Sequence, residues 1–200
     1  MNDSSEKITA HDKISNSRYN RVAIALHWLL AMGLIYQLSL GIWMDGVPKT
    51  PPGLRADWFN WHKSVGMVLG LLIVLRVLWR LTHASPALPG TMPRWQRRGA
   101  SLSHALLYGC MVVMPLSGFL GSSFTKYPIK FFGMPLPRLW EANPDLKALC
   151  GSVHTGASYL FMLVIALHVA AALMHLLRRD GVFSRMWPAS QLVQTVGTPG

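Results

Sequence analysis

The chain has 200 residues, 51% of them apolar and only 14% charged, well below the quarter or so of charged residues usual in a soluble domain. A formal net charge of +11 would suit a nucleic-acid binder, but the basic residues lie between apolar segments rather than in one dense run. That spread is the pattern of membrane topology signals, and it argues against nucleic acid as a partner and for membrane lipids.

Residues 1–17 are polar, mixed in charge and without hydrophobic periodicity, so a disordered tail is expected there. Val22 to Met44 is too long for a signal-peptide core and lacks an AxA-like cleavage site, which predicts a retained first transmembrane helix. A second is predicted over about Trp61 to Leu81 and a third over about Ser101 to Gly121. The fourth, Val153 to Leu177, holds 25 residues without Asp, Glu, Lys or Arg, enough to cross the roughly 30 Å hydrocarbon layer. The expected fold class is therefore all-α, a membrane bundle of four transmembrane helices over residues 18–187, with a flexible tail over 188–200.

Within these segments Pro115 predicts a kink in the third helix, tolerable where neighbouring helices re-satisfy the backbone. Gly66 and Gly70 form a GxxxG on the second, open to close approach by a helix or a flat cofactor. Turn-forming residues at 47–53, 85–90 and 128–137 mark loops. The long connection over 122–152 is expected to include a short surface helix from about Pro144 to Cys150. Cys110 and Cys150 are the two cysteines. With neither CxxCH nor CxxC present, covalent c-type haem, an iron–sulfur cluster and a cysteine zinc site all lack support.

Lys and Arg set the orientation. Counting the N-terminal tail, the second connection with its helix ends, and the C-terminal end, 12 basic residues lie on one side against 7 on the other. The positive-inside rule then predicts both termini in the cytoplasm.

Depth in the membrane sorts the histidines. His27 sits near the cytoplasmic start of the first helix, and His62 opens the second at the opposite face. In the fourth helix His154 is shallow on that opposite side, and His168 follows roughly 21 Å further on, within about 40° of the same helical face. Ligands of one metal ion must share a depth and come from different helices, which pairs His27 with His168 and His62 with His154. Histidines in lipid are costly and point to function. Two imidazoles per level suit a six-coordinate haem, whereas structural zinc takes four ligands. A zinc site or a proton relay is the alternative. Arg76, on the face of His62 but at the depth of the cytoplasmic pair, is expected to meet a haem propionate or else to reach the headgroups. His175, His104 and His83 are candidates for propionate or quinone contact, His175 foremost, or else simply face the headgroups, and His11 lies in the tail.

The stretches RYNRVAIALHWLL at 18–30, WHKSVGMVLGLLIVLRVLWR at 61–80 and VHTGASYLFMLVIALHVAAALMH at 153–175 resemble the bacterial cytochrome b561 family. Hydrogenase-associated cytochromes b share the broad pattern. The resemblance covers about 18–187 and implies a four-helix bundle holding two b haems, with axial histidines matching His27, His62, His154 and His168. In compactness the chain resembles the superoxide oxidase branch. That implies oxidation of superoxide to oxygen at the periplasmic face of the bacterial inner membrane, with ubiquinone as electron acceptor. Basic residues in the periplasmic connections, Lys126, Lys130 and Arg138 among them, would steer such an anion. The rival expectation is an electron-transfer cytochrome b subunit serving a partner dehydrogenase, a hydrogenase or a soluble cytochrome.

Overall fold

A computed structural model describes residues 18–86 and 92–188. The tail over 1–17, nearly all of 188–200 and most of the 85–90 loop fall outside the described residues. Four helices, each long and apolar enough to cross a membrane, make up the bundle. Helix α1 spans Arg21–Asp45 and is capped by Asn20, whose side chain accepts the Ala23 N–H, satisfying one of the free donors at a helix start. Helix α2 spans Leu54–Thr82 and α3 Arg94–Ser123. Strands β1, Lys130–Phe131, and β2, Met134–Pro135, form an antiparallel hairpin. Helix α4 spans Pro144–Arg178, and a 3₁₀ turn follows over Phe183–Arg185.

Helices α2, α3 and α4 each begin about two turns earlier than the apolar runs predict. The separate surface helix expected over Pro144 to Cys150 is instead the start of α4. Asn143 caps it, accepting the Asp145 and Leu146 N–H groups at 3.1 and 3.0 Å, and Pro144 suits the first helical position, where no N–H is needed. Nothing after Cys150 stops a helix, since a lone Gly151 costs only about 1 kcal/mol. At 35 residues, α4 runs roughly 52 Å, longer than the roughly 30 Å hydrocarbon layer.

The loop expected over 128–137 holds the hairpin. Its two turn residues, Phe132 and Gly133, have φ of 45° and 91°, the left-handed pair that a tight hairpin turn requires. Ser64 of α2, 1% exposed, anchors it. The Ser64 hydroxyl accepts the Phe132 N–H at 2.9 Å and lies 3.2 Å from the Lys130 carbonyl. Trp61 packs edge-on against the Phe132 ring at 5.3 Å. At the other end of the bundle the residues flanking α1 and α4 meet. Tyr19 N–H donates to Arg185 O, Arg18 to Trp187 O at 2.9 Å, and the Trp28 indole to Met186 O at 2.7 Å. Both described chain ends thus share one face, which is called the terminal end here, opposite the hairpin end.

Packing runs α1 on α2, α2 on α3 and α3 on α4, while α1 and α4 make no comparable contact. Gly70 permits the α2–α3 approach, since a Cβ there would lie 3.3 Å from Pro115 Cβ, and Gly66 lies under the Gln37 side chain of α1 at 3.0 Å. The GxxxG therefore serves helix packing. Pro115 lies inside α3, whose helix continues through it. The buried core joins Leu30, Leu69, Ile73, Cys110, Met111 and Phe161. Phe161 lies seven residues from both His154 and His168, so the core plugs the middle of the bundle, about two turns from each. Leu71, Leu81, Leu163, Leu167 and Leu177 face outward, as side chains solvated by lipid do. Both cysteines are free, Cys110 in the core and Cys150 at the α3–α4 contact beside Gly121.

Candidate functional site

The fold brings the histidines together in the two pairs that depth predicts. His27 of α1 and His168 of α4 have ring centroids 6.2 Å apart, and His62 of α2 and His154 of α4 have them 6.4 Å apart. With a metal–nitrogen distance of about 2 Å, two imidazoles flanking one ion have centroids about 6 Å apart. The same separation keeps the ring nitrogens no closer than about 4 Å, beyond a hydrogen bond between the rings. Each pair thus has the span of two ligands to one ion.

The hairpin-end pair is held from several sides. His154 Nδ1 lies 3.0 Å from Met114 O and 3.2 Å from Ser117 Oγ. A carbonyl can only accept, so Nδ1 carries the proton and leaves the Nε2 lone pair for a metal, the usual arrangement of a ligating histidine. Gly118 makes room for the ring: a Cβ there would stand 3.0 Å from His154 Cε1 and 3.2 Å from Nδ1. Gly41 does the same for His62, 3.3 Å from its Cε1. Gln37 donates to the His62 main-chain oxygen at 2.7 Å. Sequence reasoning missed Gln37, Gly41, Ser117 and Gly118. Their signal was depth alone: each lies at the level of the histidine it touches.

At the terminal end Arg76 turns inward. Its Nη1 donates to Ala23 O at 3.1 Å, and its Nη2 lies 3.5 Å from His27 Nδ1. It lies within the bundle beside this pair. His104 of α3 comes within 5.7 Å of the His168 ring, a third imidazole at this level. His175 lies further toward the terminal end and is bonded to Asp180 Oδ2 at 2.5 Å, the two side chains 13% and 35% exposed. Burial works to raise the Asp180 pKa, but the hydrogen bonds from His175 and from the Val182 N–H, with the positive charge of Arg178, outweigh it. The carboxyl is held below its ordinary value. His83 stacks on Trp79, centroids 3.8 Å apart and planes within 8°, and finishes α2 as a cap.

The described residues hold no group of three or more His, Cys, Asp or Glu placed to bind a metal. The hairpin-end set is two imidazoles, and the terminal-end pair has His104 beside it; a two-imidazole set suits a metal whose equatorial positions are filled by a macrocycle. Lys126, Lys130 and Arg138 are exposed at the hairpin end. Arg55 is occupied there, donating to Val47 O and lying 3.8 Å from Asp45.

Residues 18–189 match the family model described as prokaryotic cytochrome b561. The chain is 27% identical over 176 residues to Cytochrome b561 homolog 1 of Escherichia coli K12, spanning 86% of this chain and 98% of that one. It is 30% identical over 180 residues to Cytochrome b561 homolog 2 of the same organism, spanning 84% and 90%. With a Yersinia pestis protein named Probable superoxide oxidase CybB it shares 26% identity over 180 residues, 86% and 97% of the two chains. The match takes in all four helices and every paired histidine, and the chain belongs to the prokaryotic cytochrome b561 family, multi-pass membrane electron-transfer proteins that bind b-type haem.

Proposed function

We propose that the chain carries two b haems, one ligated by His27 and His168 and the other by His62 and His154, and moves electrons across the bacterial inner membrane. The observation that carries this reading is the pair of depth-matched imidazole couples, 6.2 and 6.4 Å between centroids. The haems, when bound, supply one-electron redox chemistry at two depths. The positive-inside count makes the terminal end cytoplasmic and the hairpin end periplasmic.

The electron donor we propose is superoxide. Two superoxide ions give two electrons and leave as oxygen, and ubiquinone takes the two electrons with two protons to become ubiquinol. Support comes from the likeness to a protein named as a probable superoxide oxidase and from exposed Lys126, Lys130 and Arg138 at the hairpin end. Outer-sphere transfer from so small an anion needs approach rather than a shaped pocket. Arg76, beside His27, is placed to pair with a propionate of the cytoplasmic haem. His175, hydrogen-bonded to Asp180 between the bundle and water, is the residue we assign to the quinone.

Stopped-flow mixing of the purified protein with superoxide, with and without ubiquinone, tests this. Fast haem reduction followed by reoxidation on adding ubiquinone is expected. Haems that superoxide leaves oxidised, yet a dehydrogenase or soluble cytochrome reduces, would make the chain a partner subunit instead.

The cradle around His154 makes its own prediction. Met114 and Ser117 hold the ring, so it cannot swing away from a new methyl group. Gly118→Ala should loosen the periplasmic haem and Gly118→Val should expel it, with the cytoplasmic haem retained. Haem content by pyridine haemochrome, together with the optical spectrum, reads both, and a Gly118→Val protein holding two haems would refute the crowding.

A further inference from the structure

Three buried side-chain polar atoms among the described residues have no hydrogen-bond partner: Gln37 Oε1, His62 Nδ1 and Trp79 Nε1. Two of the three belong to one contact, since Gln37 Nε2 already donates to the His62 main-chain oxygen at 2.7 Å. A buried, unpaired polar atom is costly, so two in residues joined by one hydrogen bond call for a reason. His62 also turns its Nδ1–Cε1 edge toward α1. A Cβ on Gly41 would lie 3.3 Å from Cε1 and 3.9 Å from Nδ1. Gln37 is one turn before Gly41, on the same face of α1.

We infer that Gln37 is the positioning residue of His62, its side-chain oxygen accepting the Nδ1–H of the imidazole when Nε2 faces the metal. A ligating histidine donates its other ring N–H to an acceptor, which fixes the tautomer and raises the basicity of the ligand. His154, across the same level, has that acceptor in Met114 O. His62 has no carbonyl in that role, and Gln37 is the polar side chain already bonded to it. The last torsion of a glutamine is soft, so the carboxamide oxygen is free to turn toward the ring. Gly66 keeps the carboxamide at this depth, since a Cβ there would stand 3.0 Å from Gln37 Nε2.

This inference rests on the proposed ligation of a haem by His62 and His154. The test is redox titration of the purified protein, resolving the two haems, with Gln37→Leu and Gln37→Glu. Losing the acceptor weakens His62 as an electron donor to iron. Gln37→Leu should therefore raise the midpoint potential of the periplasmic haem and weaken its retention by about tenfold or more. The cytoplasmic haem should keep its potential. Gln37→Glu keeps an acceptor oxygen, and should retain the haem with its potential unchanged or lowered. An unchanged periplasmic potential in Gln37→Leu overturns the inference. So does equal loss of that haem in both variants, which would leave Gln37 a clamp on the main chain only. A wild-type protein with no haem at His62 would instead bring down the ligation itself.

Discussion

His62→Ala and His154→Ala should each abolish the same haem, and His27→Ala and His168→Ala should each abolish the other. The loss should be near complete in every case, because a bis-histidine site that keeps one ligand holds its iron from one side only. The expectation follows from geometry. Each pair draws its members from two helices at one depth, and the core around Phe161 separates the levels by about two helical turns on either side. Low-temperature reduced-minus-oxidised spectra, which resolve two b haems, should show one component vanish for each pair while the other keeps its position. Shared loss between His27→Ala and His62→Ala would break the assignment of depth. His104→Ala is the internal control. Its ring lies 5.7 Å from that of His168 and would be a ligand only if His27 were not. Both haems should survive in that variant, and the one at the terminal end should vanish there if the pairing of His27 with His168 is wrong.

The pairs were legible in the sequence because depth needs little information. Helix rise is fixed, consecutive spans run in opposite directions, and a histidine's distance from the end of its apolar run gives its level. The same reasoning fails at helix ends. An apolar-run count stops α2 at Trp61 and α3 at Ser101, but the backbone ladder continues through Asp57 and Asn60, and through Arg94, Arg97 and Arg98, into the interface. Rotation about the helix axes was legible only as the faces that the histidines mark. Gly118 against His154, Ser117 beside it and Gln37 against His62 depend on which way α1 and α3 turn, and that is settled by packing of the Gly70–Pro115 kind. The hairpin was hidden for a related reason. Its turn sits in a Gly- and Pro-rich loop, and its anchor, Ser64, lies some seventy residues away in sequence.

Superoxide reduction of the haems should slow as salt rises, and slow further when the basic residues of the hairpin end are reversed. Lys126, Lys130 and Arg138 are exposed there, whereas Arg55 on the same side is tied to Val47 and Asp45. The free field at that face therefore comes mainly from the connection between α3 and α4. Across the whole side the basic excess is three charges, 7 Lys and Arg against 4 Asp and Glu. Reversing three cations to Glu turns that modest attraction into repulsion. Electrostatic steering changes association rates by roughly 10- to 1000-fold, and for so small an excess the low end applies. The Lys126→Glu, Lys130→Glu, Arg138→Glu protein should be reduced about tenfold more slowly at low salt. The deficit should shrink toward 0.1 M and above, where the Debye length falls to about 10 Å. Both haem spectra and reduction by dithionite should stay as in the unaltered protein, because none of the three residues touches a paired histidine. A rate indifferent to salt and to all three charges would mean that superoxide does not enter at this face, and the donor would then have to be a protein partner.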